Sequence, residues 1–253
     1  MLEHSHYLFP VLFFAALLGA TIDGIAGGGG LITLPVLLFT GLPPQIALGT
    51  SKFQATFGTF MASAKYYQHG WFTFKTIKKG LIFGIAGAVL GAIAGQMLSS
   101  DLLRKILPIL LFAMLLYMLF TPTLGHEDRK PRMSEFWFYI IFGFFLGFYD
   151  GFFGPATGSL WVFSLTFFLG YQFRSAVAYA KVFNFKSNVV ALICFALGNN
   201  IDYRMGICMA AGQLIGGRFG AHLAILKGAE IIRPVFIGVT SLTIVALLCK
   251  SYL

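Results

Sequence analysis

Asp-Gly-x-x-Gly occurs twice in this chain, as Asp23-Gly24-Ile25-Ala26-Gly27 and as Asp150-Gly151-Phe152-Phe153-Gly154, each time interrupting a hydrophobic stretch of membrane-helix character. Hydrocarbon tolerates a carboxylate and irregular backbone only where protein or a water-filled cavity surrounds them, so the doubled motif points to a buried polar pathway. The first copy runs on as Gly28-Gly29-Gly30 and the second as Pro155-Ala156-Thr157-Gly158-Ser159. Both read as a helix that stops, a hinge, and a short new helix whose first N–H groups lack partners. Such a start carries about half a positive charge and attracts anions, with Thr157 and Ser159 as added hydroxyl donors. No Gly-Lys-Ser/Thr follows the glycines, which excludes a nucleotide loop. The competing reading is tight packing with a kink. Asp23 and Asp150 could counter nearby lysines, carry protons or cap the short helices, and spacing leaves all three open.

Lys52 and Lys181 occupy equivalent places downstream of the two motifs. Lys52, Thr56, Thr59 and Ser63 follow one another at i, i+4, i+7 and i+11, a single helix face; Lys181, Asn184 and Asn188 form the corresponding face. A polar stripe headed by a lysine on a membrane helix should face the interior, although a lysine close to a helix end can also snorkel to the interface. Lys186 has no counterpart, because Phe57 stands at that place. An ion pair and a cavity lining are equally open to it. Thr50 and Ser51 precede Lys52 where Tyr179 and Ala180 precede Lys181, so the half-sites differ and one asymmetric substrate site is expected.

The elements that must position these residues are apolar helices. Of 253 residues, 58% are hydrophobic and 11% charged, against roughly 25% charged in a soluble domain. The chain therefore reads as one all-α, multi-spanning membrane domain, residues 1–253. Self-comparison divides it into repeats over 1–120 and 135–253. At an offset of 129 residues, Gly41 matches Gly170, Ala47 matches Ala176, Lys52 matches Lys181, Gly87 matches Gly216, Gly91 matches Gly220 and Arg104 matches Arg233. The Asp-Gly-x-x-Gly motifs align at 127, which places a two-residue insertion inside the glycine cluster. Helices are expected over 7–22, 31–40, 45–67, 76–98 and 102–120, then over 135–150, 158–170, 174–197, 204–226 and 231–250, with the second piece of each half short. Residues 7–22 resemble a signal peptide only in length, because no basic region precedes them and the second half has a counterpart.

The net charge of +9 is spread thinly among loops, which argues against a nucleic-acid surface. The basic segments Lys75-Thr76-Ile77-Lys78-Lys79 and Arg129-Lys130-Pro131-Arg132 read as cytoplasmic. The position equivalent to the first carries only Asp202 and Arg204, and this asymmetry points to inverted repeats. Gly87, Gly91 and Gly95, with Gly212, Gly216 and Gly220, have the small-xxx-small spacing of closely packed helices. Arg218 and His222 read as interfacial. Cys194, Cys208 and Cys249 show no metal or redox spacing. With no nucleophile, base or metal constellation, neither an enzyme nor a cofactor is expected.

The strings Gly24-Ile-Ala-Gly-Gly-Gly-Gly-Leu-Ile-Thr-Leu-Pro35, Ala47-Leu-Gly-Thr-Ser-Lys-Phe-Gln54 and Tyr149-Asp-Gly-Phe-Phe-Gly-Pro-Ala-Thr-Gly-Ser-Leu-Trp161 resemble the TauE/SafE family of membrane transporters, named for sulfite export. Ala180-Lys-Val-Phe-Asn-Phe-Lys-Ser-Asn188 and Gly212-Gln-Leu-Ile-Gly-Gly-Arg218 extend the likeness over nearly the whole chain, closest to the YfcA-like branch. The resemblance implies a multi-pass protein of the bacterial inner membrane that moves small anionic sulfur compounds such as sulfite or organosulfonates. The expected site combines the helix starts at Gly28, Gly29, Gly30, Thr157, Gly158 and Ser159 with Lys52, Lys181, Thr50, Ser51, Thr59, Asn184 and Asn188. Asp23 and Asp150 are candidates for proton coupling. The expected partners are a small anion and the lipid bilayer, with self-association left open. A passive anion or small-solute channel is the alternative function.

Overall fold

The computed structural model describes residues 7–120 and 130–227, and the expected helix over 231–250, with Arg233 and Cys249, lies outside them. In the first half, α1 (Leu8–Ala26), α2 (Gly30–Phe39), α3 (Pro44–Gln68), α4 (Phe74–Met97) and α5 (Ser100–Phe120) follow in order. In the second, α6 (Glu135–Phe138) continues through a π-helical turn (Tyr139–Gly143) into α7 (Phe144–Phe152), followed by α8 (Thr157–Leu169), α9 (Phe173–Leu197) and α10 (Tyr203–Lys227). No strand occurs among the described residues. The basic segment at Lys75–Lys79 is not a loop but the first turns of α4.

Length sets what each helix can do. With 25 residues each, α3 and α9 run about 38 Å, more than the roughly 30 Å hydrocarbon layer. With 10 and 13 residues, α2 and α8 reach only about 15–20 Å. The expected short pieces are therefore real, and each follows a break where φ turns positive, at Gly27 and Gly28 in one half and at Gly154 and Ala156 in the other. The breaks touch: a Cβ on Gly27 would lie 2.7 Å from Cα of Gly158, and one on Gly30 would lie 3.0 Å from Cα of Pro155. Glycine at 27, 30 and 158 leaves the room in which the two unwound segments meet.

Packing exchanges partners between the halves. The first long helix of each lies along the fourth helix of the other, α1 on α10 and α7 on α4. The glycine stripes make both seams. Methyl groups on Gly87, Gly91 and Gly95 would run into the carbonyls of Phe144, Phe148 and Phe152, and methyl groups on Gly212, Gly216 and Gly220 into those of Phe13, Leu17 and Thr21. In each seam both numbers rise together, so the paired helices are parallel. Across the middle, α3 meets α9 with Gly49 against Phe195 and the Phe60 ring 5.5 Å from that of Phe185, so these two run antiparallel.

Two apolar clusters fill the body. One gathers α2, α5, the start of α3 and the end of α9 around Leu34, Leu107 and Phe195. The other gathers α8, the end of α3 and the start of α9 around Trp161, Tyr66 and Phe183. Among the described residues, most of the buried charges lie near the helix breaks that these clusters flank.

Candidate functional site

The site is built where the broken helices of both halves face α3 and α9. Lys52 on α3 lies 2.9 Å from Asp150 Oδ1 and also donates to the Asp150 carbonyl. Lys181 on α9 lies 2.8 Å from Asp23 Oδ2. Each lysine thus reaches the aspartate of the other half, and the two pairs are counterparts under the repeat. Neither lysine snorkels, since Lys52 and Lys181 are 3% and 0% exposed. An ionised group this deep is stable only when paired and hydrogen-bonded, so the pairs also lock the halves together.

Asp23 does two of the three jobs open to it. Its Oδ1 accepts from the N–H groups of Gly28 (3.1 Å) and Gly29 (3.4 Å), while Oδ2 takes Lys181. The anion-seeking start of α2 is therefore filled by the chain's own carboxylate. Asp150 is held by Lys52 and, in the amide orientation that satisfies both neighbours, by Asn184 Nδ2 at 3.3 Å; Asn184 Oδ1 then accepts from Gly158 N at 3.3 Å. Thr157 does not offer its hydroxyl to the interior but donates it to Gly154 O at 2.7 Å.

A small, partly open cavity lies beside these pairs, with about 40 Å³ of free space. That is room for two or three waters. Of the residues expected at the site, Asp23, Gly29, Gly30, Ser51, Lys52, Thr59, Asp150, Asn184 and Asn188 line it. Gly28, Gly158 and Lys181 stand behind them, bonded or packed to the lining residues. Thr50 belongs elsewhere: its hydroxyl accepts from Asp202 N at 2.9 Å and anchors the start of α10. Ser159 opens α8 without lining the cavity. Sequence reasoning missed Thr33, Gln54 and Gln213, which line it as well. Gln54 Nε2 donates to Thr33 Oγ1 at 3.2 Å, and Gln213 fills the space that Gly58 leaves open. None of the three recurs in the other half, so self-comparison passed over them. A buried amide on an otherwise apolar helix was the available signal.

Among the described residues no cluster of His, Cys, Asp and Glu could hold a metal. Helical halves exchanging partners around broken helices, with paired ions and a small polar cavity between them, make up a membrane transporter. The chain belongs to the sulfite exporter TauE/SafE family, whose sequence profile matches residues 12–247. It is 43% identical over 230 residues to a probable membrane transporter protein of Haemophilus influenzae, covering 91% of this chain and 90% of that one. It is 40% identical over 248 residues to the probable membrane transporter protein YfcA of Escherichia coli K12, covering 98% and 92%. A shorter match, 39% over 64 residues and 25% of this chain, joins it to sulfite exporter TauE/SafE family protein 6 of Arabidopsis thaliana. No solved structure gives a significant match.

Proposed function

We propose that this protein is a proton-coupled secondary transporter of small anionic sulfur compounds, of the sulfite and organosulfonate class, working as a multi-pass protein of the bacterial inner membrane. The observation that carries the reading is the pair of cross-half salt bridges, Lys52–Asp150 and Lys181–Asp23, beside a cavity at the helix breaks. A substrate anion needs a cation to replace its lost water, and both of these lysines are held by carboxylates. Protonating an aspartate frees its lysine. The proton stays on the carboxyl oxygen, the ammonium turns to the anion, and the two ligands enter together. Ser51, Thr59, Asn184 and Asn188 supply hydrogen bonds around the cargo.

Opposite directions of α3 and α9, which are equivalent helices, support inverted repeats. Alternating access then follows as one half rocks against the other. A free volume of only about 40 Å³ at the site favours alternating access over a passive pore. The test is uptake of sulfite and methanesulfonate by proteoliposomes with and without an imposed proton gradient. Saturable uptake that an inward proton gradient accelerates is expected. Removing a charge-assisted contact worth about 1.5–3 kcal/mol should slow the Lys52→Ala and Lys181→Ala proteins by about ten- to a hundredfold. Unchanged transport by both variants sinks the site, and indifference to the gradient sinks the coupling.

A further inference from the structure

A second recess, far roomier than the central cavity, opens on the exposed side of α3 and α10. It holds about 590 Å³, within the roughly 300–1,000 Å³ of sites that take molecules of drug size. An anion of a few atoms would leave most of it empty. Lys65 of α3 and Arg218 and His222 of α10 supply its charge, while Leu214, Ile215 and Phe219 supply an apolar wall. Residues 215, 218, 219 and 222 fall at i, i+3, i+4 and i+7, a single face of α10, and α3 brings Lys65 across the groove. Among the described residues no carboxylate meets any of the three cations, and the ion pairs there use Lys52 and Lys181. Arg218 and His222 are exposed, as are Ile215 and Phe219 around them. On a helix of a membrane protein such a face meets lipid. A bare guanidinium there is costly, and the anion always within its reach is a lipid phosphate.

The repeat supplies a comparison inside the molecule. At the offset of 129, Lys65 corresponds to Cys194, Arg218 to Val89 and His222 to Ile93, while Leu214 and Phe219 correspond to Ile85 and Leu90. The counterpart groove of α9 and α4 therefore has the apolar wall without the charge. It also stays open although α5 is present, with Ile85, Leu90 and Ile93 at 41%, 50% and 43% exposed. Packing of the shared scaffold gives no reason for three cations on one side alone. Their depth gives one. Lys65 stands three residues, about 4.5 Å, before the end of α3, where the exposed Tyr67 and the stacked rings of Tyr66 and Trp71 mark the height of the headgroups. The same end carries the basic first turns of α4, the charges that mark the cytoplasmic side. Anionic lipids give that leaflet its negative surface potential.

We propose that this groove is a binding site for one anionic phospholipid of the cytoplasmic leaflet, its phosphate held by Lys65, Arg218 and His222 and an acyl chain lying on Leu214, Ile215 and Phe219. Arg218 offers a planar fork to two phosphate oxygens, Lys65 a point charge and His222 a ring N–H. Bound there, the lipid ties together α3 and α10, the helices that bring Lys52 and Gln213 to the central cavity. The site depends on the membrane location alone, not on the cargo or the coupling.

The test is native mass spectrometry of the purified full-length protein in neutral detergent, with phosphatidylglycerol or phosphatidylcholine of identical chains. Each cation at a headgroup adds about fivefold in affinity, so wild type should prefer phosphatidylglycerol by about tenfold or more and Lys65→Gln should lose about fivefold of that. The triple variant Lys65→Gln, Arg218→Gln, His222→Gln should show no preference. Arg218→Lys keeps the charge and should retain most of the preference. So should Arg104→Gln with Lys105→Gln, which removes two exposed cations of α5 outside the groove. A wild type without preference overturns the site, as would follow if a second copy or the chain's last residues filled the groove. Preference kept by the triple variant overturns it as well. Glycerol phosphate that displaces the lipid at equal concentration marks a site for free anions and overturns the lipid. Methanesulfonate uptake lost by the triple variant in vesicles of phosphatidylcholine alone, with its lipid preference intact, makes the groove an entrance for cargo and overturns the proposal while sparing transport. Preference as expected in a protein that moves no anion leaves this site standing and removes the transport reading.

Discussion

At the scale of single residues, Lys52 and Asp150 cannot be exchanged one at a time, because each is buried and each is the other's counter-charge. Breaking a buried pair by removing one partner costs about 3–5 kcal/mol, much of it from the charge left behind, whereas replacing both partners can be nearly neutral. Lys52→Met and Asp150→Asn should therefore each lower the unfolding temperature in detergent, and the double variant should recover most of the loss. Additive losses would mean that the two charges are not coupled. Asp23 differs in that it also caps α2 through Gly28 and Gly29. Asp23→Asn keeps an acceptor for those N–H groups, so it should be milder than Asp23→Ala. Thermal unfolding of the two variants side by side checks this.

At the scale of elements, the seams decide where the site can stand. Backbone carbonyls of α7 lie directly over Gly87, Gly91 and Gly95, and those of α1 over Gly212, Gly216 and Gly220. A branched side chain at the centre of either seam must push a whole helix outward, and overpacking of this kind costs about 1–3 kcal/mol. Gly91→Val and Gly220→Val should each destabilise the purified protein by that order and weaken anion binding, because α7 carries Asp150 and α1 carries Asp23. The control is Gly41→Ala, where nothing lies within 4 Å of an added Cβ but φ is +93°, so only the modest strain of a left-handed alanine is expected. Thermal unfolding of the three variants ranks them, and a control as damaged as the seam variants would refute the packing account.

At the scale of the molecule, the proposed inversion makes a topological demand. The turn after α3, at His69 and Gly70, and the turn after α9, at Gly198 and Asn199, correspond under the repeat and lie at the far ends of two antiparallel helices. In a protein whose native cysteines have been replaced, a single cysteine at Gly70 should react with an impermeant maleimide only from the cytoplasm. One at Asn199 should react only from the opposite side. Labelling of both from the same face would contradict inverted repeats and with them the alternating-access mechanism. The groove of Lys65, Arg218 and His222 lies at the ends of α3 and α10, which run parallel, and belongs to the same face as Gly70. Arg218 and His222 are exposed there.

Periodicity and composition placed the helices among the described residues to within four residues at each end, the two short pieces included, and self-comparison singled out the two lysines and two aspartates that the structure pairs. These are local or pairwise properties of the chain: a polar face has a period, a break needs glycine, and a duplication is visible by alignment. Pairing was not of that kind. That Lys52 would meet Asp150 and Lys181 would meet Asp23, each across the halves, depends on α1 lying on α10 and α7 on α4, contacts between segments far apart in sequence. Thr50 looked like a ligand because it adjoins Lys52, yet helix rotation turns it to Asp202 instead. Gln54 and Gln213 carried no repeat signal and became lining residues only once α3 and α10 were packed together. Tertiary structure alone decided which charges among the described residues are paired and that the Lys186 ammonium among them lacks a hydrogen-bond partner, because pairing depends on distances that no spacing along the chain specifies.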